Sequence, residues 1–358
     1  MKTDIQISQE NKMEEIQKIA DKLKIEKEVL EPYGRYMAKL DVEKIQDRNK
    51  KRKLILDCDP GHDDAFAIML AGSSDDFDLL GISVVAGNQT IEKTAINAFN
   101  VSRYLGIKVP IYKGASRPLE KKPQVCEEIH GTSGLDGFTF PKYNYRFEAK
   151  EASTFIVDSL NKYKDVTVVT CGPMTNLALA IKKDSTITKN IKEVVLMGGS
   201  IGLGNITPAA EFNILCDPEA ADIVFTSGVK IKMIGLDVTR KVLVLPNVVE
   251  RMSKINNKAS DMFVALMKFF NQSNQQLFGV PAGPLHDPVT IASLIDDKLV
   301  TFKEMNVTID CSHGPSDGRT NCDILDVLHL PKNAFVGIDI NVDLFWTIIE
   351  NALRKYNK

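Results

Sequence analysis

Four aspartates fall within eight residues at Asp57, Asp59, Asp63 and Asp64, in the stretch Lys53-Leu-Ile-Leu-Asp-Cys-Asp-Pro-Gly-His-Asp-Asp-Ala-Phe-Ala-Ile-Met-Leu-Ala71. One or two of them could serve as caps or turn residues, since Asp favours both. Four so close repel one another, and a bound cation is the simplest relief. Oxygen ligands without suitably spaced Cys or His favour a hard ion such as calcium or magnesium over zinc.

Other polar groups recur where apolar runs end. Val84-Val-Ala is followed by Gly87-Asn88-Gln, Val168-Val-Thr by Cys171-Gly-Pro-Met-Thr-Asn176, and Val194-Val-Leu-Met by Gly198-Gly199. Further on come Gly204-Asn205-Ile-Thr-Pro-Ala-Ala-Glu211-Phe212-Asn213 and Leu285-His286-Asp287-Pro288. Each alone reads as a turn or a helix start, with Asp287 as an N-cap before Pro at N1. Together they mark the carboxyl ends of successive strands, where open α/β sheets bind ligands.

The elements that must position these groups alternate at βα spacing. Leu54 to Leu56, Leu79 to Ala86, Val109 to Tyr112, Val166 to Thr170, Ile191 to Met197 and Ile231 to Ile234 read as buried strands. Helical patterns fall at 65–71, 91–105, 150–163, 174–183 and 217–226, and one long helix is expected over 247–272. A Gly314-Pro-Ser-Asp-Gly318 turn predicts an antiparallel hairpin within Glu304 to Leu328 near the sheet edge, before a last strand at Val336 to Ile340 and a last helix at Leu344 to Leu353. The expected fold is α/β, an open, mostly parallel sheet with helices on both faces. Residues 1–52 differ in composition and read as a helical N-terminal extension, with Met13, Ile16, Ile19, Ala20 and Leu23 at helical spacing and Asp47 to Lys53 as a solvated linker; residues 53–358 form the main domain.

The 358 residues are 44% apolar, enough for a sizeable core, and 45 basic against 47 acidic side chains leave no field that would draw nucleic acid or an anionic membrane. A small, roughly neutral partner fits that balance. Six scattered cysteines without a Cys-x-x-Cys pair suggest a reducing cytoplasm, and no apolar run approaches the ~20 residues of a membrane helix.

Asp57-Cys-Asp59-Pro-Gly-His-Asp63-Asp64, Gly87-Asn88-Gln, Gly172-Pro-Met-Thr-Asn176, Leu196-Met-Gly-Gly199, Ala210-Glu211-Phe212-Asn213 and His286-Asp287-Pro288 together resemble the inosine-uridine nucleoside hydrolase family, from about Lys53 to the C-terminus. The resemblance implies hydrolysis of a ribonucleoside to free base and ribose. It implies a calcium ion (Ca2+) held by Asp59, Asp64, Asp287 and the backbone carbonyl of Cys171, where relatives often carry Thr. Asp63 would be the general base toward water. Asn205, Glu211 and Asn213 would grip the ribose, with Asn88 near the attacking water or the 2′ side, and Met197 and Phe212 as apolar walls. His286, taken as partly protonated near its ordinary pKa, is the candidate acid for the leaving base, and His130 in a covering loop an assistant. His62 reads as structural. The single Trp346 argues against a tryptophan-lined purine site and for a pyrimidine-preferring or broad enzyme, with Phe278 and the 279–285 loop against the base. A homo-oligomer, dimer or tetramer, is expected.

Three other readings bear on the chain. Met1-Lys-Thr-Asp-Ile-Gln-Ile-Ser-Gln-Glu10 and Leu30-Glu-Pro-Tyr-Gly-Arg-Tyr-Met-Ala-Lys-Leu40 resemble the extreme N-terminus of formate-tetrahydrofolate ligases, but the Gly-rich phosphate loop that follows in that family is missing, so no ligase chemistry is carried over. A haloacid-dehalogenase-like phosphatase with magnesium also begins with Asp-x-Asp; it has Thr or Val two positions after the second Asp, where Gly61 stands. A catalytically silent ribonucleoside-binding protein would need neither Asp63 nor His286.

Overall fold

The computed structural model describes residues 13–23, 25, 27–41 and 51–356, and divides the chain into two units, Met1–Lys51 and Arg52–Lys358. The stretch 1–10 and most of the charge run after Asp47 lie outside the described residues. Among the described residues of the first unit the helical pattern forms Ile16–Lys22. The segment 30–40 departs from the helical expectation: β1 (Leu30–Pro32) pairs antiparallel with β2 (Ala38–Leu40). Pro32 does not suit a helix interior, and Gly34 adopts a left-handed φ of 82° in the intervening turn.

In the second unit, β3 (Arg52–Cys58), β4 (Phe77–Val84), β5 (Ile111–Lys113), β6 (Val166–Thr170), β7 (Ile191–Met197) and β8 (Ile231–Ile234) run parallel. Val- and Ile-rich strands suit a sheet buried on both faces. Alternate residues of one strand feed opposite cores, with Leu54 and Leu56 packing on one side and Ile55 on the other. The first core takes the helices Asp64–Ser73, Ile91–Leu105, Lys258–Phe278, Pro288–Ile295 and Val342–Lys355; the second takes Ala152–Lys162, Thr175–Lys183 and Pro218–Thr226.

The eight-stranded sheet is completed by β9 (Val300–Met305) and β12 (Ala334–Ile340), in the order β5-β4-β3-β6-β7-β8-β12-β9, with edge strand β9 antiparallel to β12. The chain leaves β3 toward β4 and β5, then returns to start β6 on the other flank of β3. That reversal opens a crevice beyond the carboxyl ends of β3 and β6. The aspartate stretch and Cys171 leave the sheet there.

The expected antiparallel hairpin forms from β10 (Val307–Ile309) and β11 (Thr320–Cys322), as a two-stranded sheet of its own directly after edge strand β9. One expectation is corrected. The long helix over 247–272 is two, Pro246–Ser253 and Lys258–Phe278. Asn256 takes a left-handed φ of 56°, and Asn257 caps the second helix by accepting from the Ser260 amide at 2.8 Å while its own amide donates to Ser260 Oγ. Such a capping box restarts a helix within an unbroken apolar pattern.

Candidate active site

A cavity of about 750 Å³ opens over the β3/β6 crevice. Every site residue expected from the sequence lines it except Asp59 and Asp64, which lie fully buried. Its floor is acidic. Asp63, Asp64 and Asp287 each offer a carboxylate oxygen, and the three lie within 4.8 Å of one another. Asp59 is outside that triplet. Its Oδ2 accepts from the Asn88 amide at 2.6 Å, while its Oδ1 is buried without a partner among the described residues. A Cβ added at Gly87 or Gly172 would run into the Asp59 carboxylate, so both glycines make room for it. Asp57 turns to Ser83 Oγ (2.6 Å) and Asn176 Nδ2 (2.8 Å).

Donors brace this floor. Asp64 accepts from the amides of Asp59 (3.2 Å) and Gly61 (2.9 Å) and from Asn88 Nδ2 (3.1 Å). Asn88 thus spends its side-chain donor on Asp64 and on the Asp59 carbonyl rather than pointing it freely into the cavity. Burial pushes all four carboxyls up from their ordinary range, and their mutual charge adds to it for Asp59, Asp64 and Asp287. Asp64 reaches about 7. Four such acids cannot all ionise at neutral pH unless a cation joins them. The orphan Asp59 oxygen, the converging triplet and the all-oxygen donor set fit a hard divalent ion.

The walls carry the remaining groups. Glu211 caps the short helix Phe212–Cys216, accepting from the amides of Asn213 (3.0 Å), Ile214 (3.2 Å) and Gly199 (2.9 Å). Burial outweighs these donors and lifts its carboxyl to about 7. Asn213 Nδ2 donates to the Cys171 carbonyl at 2.9 Å, and Asn205 Oδ1 accepts from the Phe212 amide at 3.0 Å. Met197 and Phe212 are buried apolar surfaces beside them.

The histidines differ from expectation in their charge. His286 Nδ1 lies 2.7 Å from Thr239 Oγ1, and burial, then the Arg240 charge, hold its pKa down at about 3. It is neutral at pH 7, which corrects the assumption of a partly protonated imidazole. His130 is buried and held well below its usual value by desolvation. Its Nδ1 lies 3.2 Å from both the backbone amide and the Nδ1 of His62. A Cβ at Gly61 would come within 2.7 Å of this ring, so the glycine admits it. His62 itself is fully buried, stacks on Phe269 and Phe270, and bonds the Asp136 carbonyl at 2.8 Å.

Sequence reasoning missed Arg240, Phe270 and Asn274, which also line the cavity. Phe270 falls within the expected 247–272 helix, and Arg240 and Asn274 lie outside every motif singled out in the sequence. Trp346, in contrast, is buried against Phe345, away from the cavity lining, and Phe278 lines the cavity with 55% of its surface exposed.

The chain matches the model of the family described as "Inosine-uridine preferring nucleoside hydrolase" over residues 54–347, and that of "Formate--tetrahydrofolate ligase" over residues 2–58. It is 46% identical over 310 residues to a pyrimidine-specific ribonucleoside hydrolase RihB of Shigella sonnei, covering 86% of this chain and 99% of that protein, and equally to one of Escherichia coli. Among solved structures it is similar to a purine-preferring ribonucleoside hydrolase from Gardnerella vaginalis (TM-score 0.79, 35% identity, 85% of this chain and 99% of that one). A plant nucleoside hydrolase, PpNRh1, superposes with a TM-score of 0.80 at 28% identity over the same shares.

Proposed function

As the chain belongs to the inosine-uridine preferring nucleoside hydrolase family, we propose that it cleaves the N-glycosidic bond of pyrimidine ribonucleosides with Asp63 as the base and Ca2+ as the resident ion. The observation that carries this reading is the convergence of Asp63, Asp64 and Asp287 on the cavity floor, with His286 next in sequence to Asp287. Asp59, Asp64, Asp287 and the Cys171 carbonyl hold the ion. When bound, it lowers the pKa of a neighbouring water and fixes the ribose hydroxyls.

Asp63 Oδ accepts the proton of the attacking water as the C1′–N bond breaks. Positive charge develops on the ribose, and the carboxylates and amide oxygens beneath it are of the right sign to stabilise it. Asn205, Glu211 and Asn213 orient the sugar, Met197 and Phe212 exclude water, and Asn88 keeps Asp64 and Asp59 in place. Neutral His286 pairs through Nδ1 with the Thr239 hydroxyl, which leaves its Nε2 for the departing base, and His130 lines the same cavity. Both act as hydrogen-bond donors rather than as ready-made cations.

The pyrimidine preference rests on the relatives of highest identity above, and on a base end lined by Phe270 and Phe278 without tryptophan. The test is a panel of nucleosides with calcium, read as free ribose. Uridine and cytidine are cleaved faster than inosine; release of no ribose from any of the three overturns the reading.

The six cysteines are unpaired, which supports a reducing cytoplasmic location. No helix among the described residues is long and apolar enough to cross a membrane. Self-association into a dimer or tetramer is supported by the exposed Leu325, Val327, Leu328 and Leu330, which follow β11. The lining residues all belong to the unit Arg52–Lys358. Deleting residues 1–51 accordingly leaves kcat and KM for uridine unchanged within about twofold, the scatter of changes remote from a site; a larger loss in a steady-state assay would show that the arm acts on the reaction.

A further inference from the structure

In the segment 201–209, which carries Asn205 at the cavity, Ile201 packs against the second core, but Leu203 is 71% exposed and Ile206 37%. Past Ile201, hydrophobic burial does little to set its position and hydrogen bonds do more. Four come from one short element, the helical turn Leu236–Thr239 and the residue after it. Asp237 accepts from the amides of Ile201 (2.6 Å) and Gly202 (3.2 Å). Arg240 donates through Nη1 to the Leu203 carbonyl (3.0 Å) and through Nη2 to the Gly204 carbonyl (2.6 Å). An acid and a base thus hold four consecutive residues by their backbone. Beyond them, Gly204 and Asn205 turn back through bonds to Pro208 and Ala210, and a Cβ at Gly204 would run into the Thr207 and Ala210 carbonyls.

We infer that Asp237 and Arg240 form a positioning clip, which sets Asn205 against the ribose and ties its loop to His286. The link to His286 is Thr239, the residue before Arg240, whose hydroxyl lies 2.7 Å from His286 Nδ1. Asn205 Oδ1 accepts from the Phe212 amide, which leaves Nδ2 as its donor toward the substrate, and its direction depends on where the loop sits. Arg240 is the only Lys or Arg lining the cavity among the described residues, and both of its bonded nitrogens are committed to the loop. This inference rests on the reading of Asn205 as a ribose contact.

The test is a double-mutant cycle on uridine hydrolysis with Arg240→Gln and Asn205→Ala. Each alone raises KM about tenfold, the scale of one hydrogen bond, with kcat changed far less. Because Arg240 acts through Asn205, the double variant is no worse than Asn205→Ala. Arg240→Lys, which can reach one carbonyl at a time, falls between. Multiplying losses in the double variant, or an unchanged KM in Arg240→Gln where Asn205→Ala raises it, overturn the clip. A second readout is independent of turnover: hydrogen exchange of the 203–209 amides accelerates in Arg240→Gln and Asp237→Asn while the sheet is unaffected. If exchange accelerates but Asn205→Ala leaves KM unchanged, the ribose role of Asn205 fails and the mechanical clip stands; unchanged exchange removes the clip itself.

Discussion

Asp63→Asn lowers kcat for uridine by about 10²- to 10⁴-fold, the usual contribution of a positioned general base. Asparagine keeps the size and one hydrogen-bonding oxygen but cannot take a proton from water. The fold survives the change, because Asp63 is one of four buried carboxyls raised by desolvation, and removing one relieves their repulsion. Without calcium the variant melts at or above the wild-type temperature. Single-turnover ribose release together with a melting curve checks both halves. Retained turnover would remove Asp63 as the base; a collapsed melting temperature would make it a structural residue instead.

Removing the cation has the second large effect. Chelation abolishes hydrolysis and lowers the melting temperature, since an ion bound only by the native state stabilises it by about 2.7 kcal/mol at a hundredfold excess over Kd. The pH dependence has a definite sign. Asp64 has a folded pKa of about 7 against an ordinary 3.8, so its contribution to the metal-free fold is complete below 3.8 and is lost as pH rises through 7. Raised values at Asp59, Asp63 and Asp287 act in the same direction. A bound cation cancels this loss. The depressed imidazoles of His62 and His286 weaken the fold as pH falls below 6.5, but they do so with or without the ion. The gap in melting temperature between calcium and chelator therefore widens from about pH 5 to about pH 8. A protein indifferent to chelator across that range would exclude the acidic floor as a metal site.

The aspartate-rich floor was legible because its chemistry is local. Asp57 to Asp64 follow a short apolar strand and open a helix, and both periodicities survive folding; β6, β7 and β8 fall where their Val- and Ile-rich runs place them. Local pattern also misleads where a cap or turn interrupts it. The Asn257 and Ser260 box splits one apolar stripe into two helices, and Pro32 and Gly34 put a short hairpin after the N-terminal helix Ile16–Lys22.

Other features have no local signature at all. Asp287 joins Asp63 and Asp64 only because the helix Pro288–Ile295 packs on Asp64–Ser73 beside the sheet. His286 has the composition of an acid and the environment of a neutral donor, since its charge is set by burial and by Arg240. Arg240 reads in sequence as an ordinary surface cation, and gains a role from two carbonyls on a loop some thirty-six residues earlier. By itself the sequence determined which groups can do chemistry and that they sit at strand ends, because side-chain type and the strand and helix periods are properties of neighbours along the chain. Which of those groups meet, what each is charged, and what holds the thinly packed 201–209 loop were decided by the tertiary structure alone, because desolvation and long-range hydrogen bonds exist only once distant segments are packed together.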